Sequence, residues 1–312
     1  MSPLSTTTKA VIGWAVILLL IVALEDYAGA QPCVQPPAGL VSWWPADGDA
    51  LDIADGHDGT LQGGATFAAG KVGQAFSFDG VDGMVATSLL LPSIGTIELW
   101  VNPTSLAIPS STQILASTHG MANGDDRLWI VSSGPEGGPG VAPNTLVINL
   151  GSCCTNDIVI ANPLSVGTWT HLALTFDYTA DVYQLFVNGV FVATSTAQRS
   201  APTQAFHIGG GTSDFGQNFF FHGAIDEVAI YDRVLGAGEI QSIVAGGSAG
   251  KCKPSVGGSV TGVSLTKVKC TNLTSKQSVS IQDPGTSWDC EAAGLVVRPG
   301  DRIKMEVQGT AN

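Results

Sequence analysis

Charged side chains are scarce in this sequence of 312 residues, and basic ones are scarcer than acidic ones. Asp, Glu, Lys and Arg make up only 12% of it, with 13 basic against 26 acidic residues and a net charge of −13. Residues 31–250 contain 19 acidic and four basic side chains, whereas residues 251–312 contain eight basic and five acidic ones. Because affinity for nucleic acid depends on basic groups that displace counterions, the acidic part excludes nucleic acid as a partner. Its carboxylates instead favour a hard cation such as calcium.

Long stretches of helical periodicity are also lacking, which excludes a helical or alternating α/β architecture. Short β-rich runs recur between clusters of Gly, Asn, Asp and Pro, and the chain has 39 glycines. This pattern predicts an all-β sandwich or barrel. Asn188-Gly189 lies between two apolar runs and predicts a hairpin with a type I′ turn. A single short helix is predicted at 238–244, and the clearest predicted strands are 75–78, 96–102, 168–176 and 219–231.

One long apolar run is present, at residues 11–24, after Lys9 and before Ala28-Gly29-Ala30. A basic residue, an apolar run and a triplet of small residues in this order predict a signal peptide over 1–30, cleaved after Ala30. The protein is therefore expected to be secreted, extracellular or displayed at the cell surface. An uncleaved N-terminal anchor helix is the alternative, and it would be the protein's only contact with a membrane.

Six cysteines in an exported chain predict disulfides. Their positions suggest one pair around the large domain, one within the last segment and one between neighbours: Cys33–Cys252, Cys270–Cys290 and Cys153–Cys154. The first would tie the two ends of a sandwich domain, and the second would stabilise a domain too small to be secure alone. The adjacent pair forms either a vicinal disulfide or two thiols, and the sequence leaves both open.

The composition becomes basic and rich in Ser and Thr after residue 254, and Pro254 with its neighbouring glycines marks a linker near 246–258. We predict a large domain over 31–250 and a small disulfide-stabilised β domain over 255–312. Strands 259–268, 278–281 and 302–307 and a turn at Asp283-Pro284-Gly285 are predicted in the small domain. Its basic character suits attachment to an anionic envelope or packing against the acidic domain.

Six runs of the large domain occur in the order typical of one family. They are LVSWWP (40–45), DGTL (58–61), FSFDGVD (76–82), GTWTHLA (167–173), LFVNG (185–189) and GAIDEV (223–228). Together they resemble the laminin-G-like jelly-roll domains of the concanavalin A-like lectins and glucanases, over about residues 40–244. The resemblance implies two packed antiparallel sheets, a fold that hosts sugar binding, protein adhesion and some glycosidases.

The resemblance also implies a structural calcium ion. In similar domains the ion lies between an early acidic loop and the Asp of the late Ile-Asp-Glu-Val strand, which here are Asp52 and Asp226. Calcium takes six to eight oxygen ligands, so backbone carbonyls would complete the site. The alternative is that Asp226 is a buried carboxylate hydrogen-bonded to backbone.

The pattern of acids expected of a glycosidase is missing. The glucanases of this fold carry Glu-x-Asp-x-x-Glu, whereas here Ala224 and Ala229 stand at the positions of its two Glu residues. Asp226 and Glu227 are neighbours on a predicted strand, so their side chains are expected on opposite faces and too far apart to act as a pair. The histidines show no zinc or triad spacing, and His171 is expected to be structural. No catalytic residue is predicted.

Two clusters of aromatic, acidic and amide side chains are candidates for contact with a ligand. Trp129 with Asp126 forms the first, and Asp214 with Asn218 forms the second. Aromatic faces beside acids and amides suit sugar rings when they project from loops. The alternative is that these residues are core anchors or turn residues.

The sequence therefore favours a non-catalytic extracellular binding or adhesion protein that recognises carbohydrate through a calcium-stabilised jelly roll. Its expected partner is a glycan or a surface protein. Two alternatives remain: a structural or assembly protein of the cell surface, and a glycan-acting hydrolase of unrecognised type. The sequence predicts no oligomeric state.

Overall fold

The computed structural model describes residues 33–106, 112–118, 127–131, 144–150, 158–212, 218–254, 257–259, 263–285, 287–290, 292–297, 301 and 303–311. The fold is all-β, as predicted, with a single helix in the described part of the chain. The strands of the large domain are β1 (Leu40–Trp44), β2 (Thr60–Gln62), β3 (Thr66–Ala69), β4 (Gln74–Asp79), β5 (Met84–Leu90), β6 (Ile94–Pro103), β7 (Thr112–Ser117), β8 (Arg127–Val131), β9 (Thr145–Asn149), β10 (Ile158–Ala161), β11 (Thr170–Asp177), β12 (Val182–Val187), β13 (Val190–Ser195), β14 (Ala205–Ile208), β15 (Gly210–Thr212), β16 (Asn218–Phe220) and β17 (His222–Tyr231). The helix α1 (Ala237–Ala245) follows, and then β18 (Gly257–Ser259), β19 (Val263–Asn272), β20 (Ser278–Gly285), β21 (Ser287–Asp289) and β22 (Ile303–Ala311).

Two large antiparallel sheets form the sandwich. The first has the order β13-β12-β11-β6-β17-β4-β3, with β1 paired to β17 as its eighth strand. The second has seven strands in the order β10-β9-β8-β7-β14-β5-β2. Neighbours in both sheets are often distant in sequence, because strands cross from one sheet to the other as in a jelly roll.

The main hydrophobic core lies between the two sheets. Along β6, Ile97, Leu99 and Val101 belong to this core, so Glu98 and Trp100 lie on the other face of the sheet. This face is not exposed to solvent, since both of those side chains are buried as well. We call it the outer face of the eight-stranded sheet.

The helix α1 covers part of that outer face. Its Ile240 and Ile243 pack in a second apolar cluster with Trp43, Ala173 and Tyr231. The helix begins after Gly236, whose N–H donates to the Glu239 carboxylate at 2.9 Å. The helix predicted at 238–244 is therefore confirmed.

The predicted hairpin is also confirmed. β12 and β13 are joined by Asn188 and Gly189, which have φ angles of +49° and +77°. A type I′ turn requires positive φ at both positions, and Asn and Gly tolerate it best.

The C-terminal residues form their own small core. Leu265, Val268 and Leu295 pack with the bonded cysteines Cys270 and Cys290, whose sulfur atoms form a disulfide. β19 is the central strand between β20 and β22. The turn predicted at 283–285 is wrong, because these residues belong to β20. They lie at a register shift where Leu265 pairs with Gly285 and Lys267 pairs with Gln282.

The Cys33–Cys252 disulfide is present and joins positions 219 residues apart. The other predicted pair, Cys153 and Cys154, lies outside the described residues, as does the predicted signal or anchor segment 1–30. Among the described residues, no helix has both the length and the apolar character needed to cross a bilayer.

Candidate functional site

A group of buried charged residues lies on the outer face of the eight-stranded sheet. Glu98 on β6 and His171 on β11 are both fully buried, and Nε2 of the imidazole lies 3.0 Å from Oε2 of the carboxylate. They come together because β6 and β11 are neighbours with His171 opposite Trp100. His171 is therefore a buried histidine with a carboxylate partner, which agrees with the structural role predicted for it.

Lys251 supplies the positive charge of this group. Its Nζ lies 2.7 Å from Oε1 of Glu98 and 3.1 Å from Oε2 of Glu227, and 4.9 Å above the Trp43 ring. Burial alone would raise the pKa of Glu98, but Lys251 and His171 together hold it below its usual range. Burial would lower the pKa of Lys251, whereas Glu98 and Glu227 raise it. We call Glu98, His171, Glu227 and Lys251 the buried ionic cluster.

Residues 250–254 bring Lys251 to this position. Val34 donates its N–H to the Gly250 carbonyl at 2.9 Å and accepts the Cys252 N–H at 2.8 Å. The disulfide to Cys33 holds the same two segments together. The chain that leaves the sandwich therefore returns across its outer face, and we call residues 250–254 the closing segment.

A β-bulge places two acids side by side on the outer face. The pairing of β17 with β6 shifts between Asp226 and Ala229, and Glu227 has a φ of +55°. Ile225 and Val228 both point into the main core, so the two residues between them lie on the other side. The expectation that Asp226 and Glu227 point to opposite faces is therefore wrong, because it assumed a regular strand.

Both acids of the bulge are buried and have raised pKa values. Burial raises the pKa of Asp226 to about 8, and the negative charge of Glu227 adds to this effect. Burial also raises the pKa of Glu227, although Lys251 and Lys253 oppose it. Asp226 is 0% and Glu227 is 1% exposed, so protein encloses both side chains.

The two predicted calcium ligands differ in how well they fit a cation. Asp226 accepts the Val72 N–H through Oδ2 at 2.9 Å, while its buried Oδ1 has no hydrogen-bond partner among the described residues. An orphaned carboxylate oxygen of this kind suits a cation. Asp52 is different: its Oδ1 accepts the Trp43 and Ala54 N–H groups and its Oδ2 accepts that of His57. Asp226 therefore fits calcium and Asp52 does not, and the described residues contain no group of three acidic, His or Cys ligands.

A cleft borders the closing segment on its solvent side. One cavity of about 320 Å³ and a second of about 220 Å³ share Ile53, Lys253 and Pro254. The first is also lined by Gln35, Pro36, Leu40, Trp43, Ala54 and Cys252, and the second by Pro45, Asp47, Asp49, Leu51 and residues 294–297. We call these two cavities together the cleft. Its walls come from the loop after β1, the closing segment and the C-terminal core.

Polar groups in the cleft are few and specific. Trp43 is 1% exposed, and its indole Nε1 has no hydrogen-bond partner among the described residues. Lys253 is ion-paired with Asp47, and its Nζ lies 3.8 Å from Oε1 of Glu227. Gln35 is exposed at the rim of the larger cavity. The Trp43 nitrogen is buried beyond the reach of a ligand in the cleft, so the exposed carboxylate of Asp49 and the exposed amide of Gln35 are the groups that a ligand can contact.

Each of the two ligand-contact clusters predicted from sequence has one member outside the described residues. Asp126 and Asp214 lie outside the described residues. Trp129 is in β8, opposite Ile114 and Val147, and Asn218 is in β16, opposite Thr212, so their backbones belong to different sheets. Those residues stay predictions. Trp43 and Lys251 were not predicted as site residues, although the position of Lys251 beside a predicted disulfide cysteine was a usable signal.

The geometry defines a class of protein: an antiparallel jelly-roll sandwich whose outer-face acids are enclosed and whose cleft lies beside them. The family profile described as the concanavalin A-like lectin/glucanases superfamily matches residues 78–241. The chain belongs to this superfamily, as its motifs indicated. No curated protein matches the chain.

The chain is also similar to solved structures. Domain 4 of AbnA, an extracellular arabinanase from Geobacillus stearothermophilus determined in complex with arabinotriose, is 22% identical with a TM-score of 0.50, and the match covers 65% of this chain and 96% of that domain. The binding domain of Paraclostridial Mosquitocidal Protein 1 is 14% identical with a TM-score of 0.50, covering 78% of this chain and 63% of that one. A Trypanosoma rangeli sialidase variant is 19% identical with a TM-score of 0.49, and the match covers 75% of this chain and 39% of the sialidase.

Proposed function

We propose that the protein is a non-catalytic, extracellular carbohydrate-binding protein. The observation that carries this proposal is the enclosure of Glu98, Asp226 and Glu227 beneath the protein surface. A glycosidase needs two carboxyl groups that face an open groove and flank the scissile bond. Here Lys251 is ion-paired with two of the acids, Glu98 and Glu227, and the closing segment covers these two. The burial of all three acids supports binding over hydrolysis.

The comparisons support a sugar as the ligand. AbnA domain 4 was determined in complex with arabinotriose, so a domain of this fold can hold an oligosaccharide. Fold alone does not specify which sugar this chain takes. We therefore propose glycan binding as a class.

Secretion and calcium belong to the same proposal. Two disulfides suit an oxidising compartment, which supports the predicted export. The unpartnered Oδ1 of Asp226 supports a calcium ion held there with backbone carbonyls. This ion would stabilise the bulge on β17 by compensating the charge of Asp226.

Binding of the purified protein to a glycan array, in calcium and in EDTA, tests the proposal. We expect binding to one or more glycans without release of reducing ends from the same glycans. EDTA is expected to lower the melting temperature of the wild type, whereas Asp226→Asn should be insensitive to it. Turnover of any glycan would contradict the non-catalytic assignment, and a melting temperature that EDTA leaves unchanged would contradict the calcium site.

A surface protein as partner is the second candidate, favoured by an apolar strand edge. Val190 and Phe191 on β13 are 61% and 49% exposed, and β13 is the edge strand of its sheet in the described part of the chain. Exposed apolar edge strands are sites of strand pairing with other chains. Phe191→Lys should then abolish binding to a protein partner and leave glycan binding intact. If it reduced glycan binding as well, this second function would lose its support.

A further inference from the structure

The two cavities of the cleft have the size and lining of a ligand-binding site. Membership of the superfamily does not by itself predict a site at this place. The larger cavity, at about 320 Å³, is the size of a small ligand pocket, and most of its lining is apolar. It continues into the smaller cavity through Ile53, Lys253 and Pro254. An elongated ligand could therefore occupy both.

The cleft contains both hydrogen-bond donors and hydrogen-bond acceptors. Asp49 offers carboxylate oxygens and the Gln35 amide offers both donor and acceptor, and both side chains are exposed. A hydroxyl group also donates and accepts, so a ligand rich in hydroxyls can satisfy both. The apolar surfaces of Leu51 and Ile53 suit the C–H faces of a sugar ring.

The charges in the cleft select against an acidic ligand. Lys253 is the cation that lines both cavities, and it is already paired with Asp47. The surrounding domain has 19 acidic against four basic residues over 31–250. An anionic ligand would meet repulsion without an unpaired cation among the described lining residues.

We infer that the cleft binds a neutral oligosaccharide, with the Asp49 carboxylate and the Gln35 amide hydrogen-bonded to its hydroxyl groups. This inference rests on the proposed function and assigns its binding site. Two parts of the chain, the sandwich and the segment 294–297, then share one ligand. The closing segment forms the floor between them.

Titration calorimetry tests the inference, with cellotriose, maltotriose and mannotriose as neutral probes and with trigalacturonate and a neutral tripeptide as comparison ligands. Asp49→Ala removes the carboxylate from the cleft and should weaken binding of the preferred trisaccharide by about tenfold. Gln35→Trp replaces an exposed rim residue and should abolish binding by filling the larger cavity. Asp55→Ala is the matched control, because Asp55 is also an exposed carboxylate but does not line the cleft. It should bind as the wild type does.

The outcomes distinguish failure of the binding-site assignment from failure of the proposed function. If the wild type binds a trisaccharide and both cleft variants bind it equally well, the cleft is not the site and the proposed function stands. If only acidic sugars or a neutral tripeptide bind at the cleft, the assignment of a neutral oligosaccharide is wrong. If no glycan binds to the wild type here or on the array, the proposed function fails together with the inference. Melting temperatures close to that of the wild type show that each variant is folded.

Discussion

At the scale of single residues, the ammonium group of Lys251 is ion-paired with two buried carboxylates. Its removal in Lys251→Met would leave Glu98 with only His171 as a partner and Glu227 with only the more distant Lys253 among the described residues. Loss of one partner of a buried ion pair costs about 3–5 kcal/mol, so we expect the free energy of unfolding to fall by that amount. Urea unfolding followed by tryptophan fluorescence would measure it.

Lys253→Met is the matched control for this prediction, since it removes the same group two residues away. Lys253 is about one-third exposed and its Asp47 partner is exposed too, so the expected loss is about 1 kcal/mol or less. Equal losses in the two variants would mean that burial of Lys251 has no special importance.

The buried carboxyl of Asp226 gives the protein a pH dependence of the opposite sign to that of most acids. In the folded chain its pKa is about 8, against an ordinary value of 3.8, so the folded state keeps the proton over this range. Its contribution to stability is fully present below pH 4 and is lost as the pH rises to about 8. In EDTA, Asp226→Asn should therefore remove a decline on the order of 1 kcal/mol per pH unit between about pH 5 and 7. Parallel stability curves for the wild type and this variant would contradict the assignment.

The residues of the site were only partly predictable from sequence. Asp226 was found because the family motif includes it. Lys251 and Glu98 are 153 positions apart, and the ion pair exists only because the closing segment returns over the sheet. The bulge at Glu227 was missed because alternation along a strand assumes a regular pairing that one extra residue disrupts.

At the scale of elements, both the backbone conformation of the Asn188-Gly189 turn and its packing against α1 favour glycine at position 189. A Cβ on Gly189 would sit at a φ of +77° and 3.3 Å from the Cα of Gln241 in α1. Gly189→Ala should lower the free energy of unfolding by about 1–2 kcal/mol from the backbone alone, and by more if α1 is displaced. Thermal unfolding by circular dichroism would measure the change.

Gly167→Ala separates the two causes. Gly167 also has a positive φ, +71°, but no described residue comes within 4 Å of the point where a Cβ would lie, so only the backbone contribution applies. The variant at Gly189 should be the less stable of the two. If both lose the same stability, contact with α1 contributes nothing.

Elements with strong local signals were predictable, and those set by tertiary pairing were not. The hairpin turn and α1 follow from short patterns that act within a few residues. Asp283-Pro284-Gly285 carries an equally strong turn pattern but lies inside β20. There Asp283 and Gly285 have positive φ angles of +47° and +71°, which Asp and Gly tolerate. At this point the strand forms a bulge against β19.

At the scale of the whole molecule, the sandwich and the small C-terminal core each have one disulfide. Cys33–Cys252 spans 219 residues around the sandwich, and Cys270–Cys290 spans 20 residues within the small core. In the chain-entropy description these loops are worth about 5 and about 3 kcal/mol respectively. The domain division predicted from sequence, 31–250 and 255–312, implies that each bond stabilises its own core.

Replacement of Cys270 and Cys290 by Ser together should therefore unfold the small core and leave the sandwich folded. Hydrogen exchange measured by mass spectrometry should rise in β19 and β22, while β6, β11 and β17 keep their protection. Replacement of Cys33 and Cys252 should instead raise exchange in the closing segment first, because the same bond holds Lys251 over the acids. If loss of the small-core disulfide raised exchange in β6 and β17 equally, the cores would unfold as one unit. The cleft would then be a groove within a single domain, and the predicted boundary would be wrong.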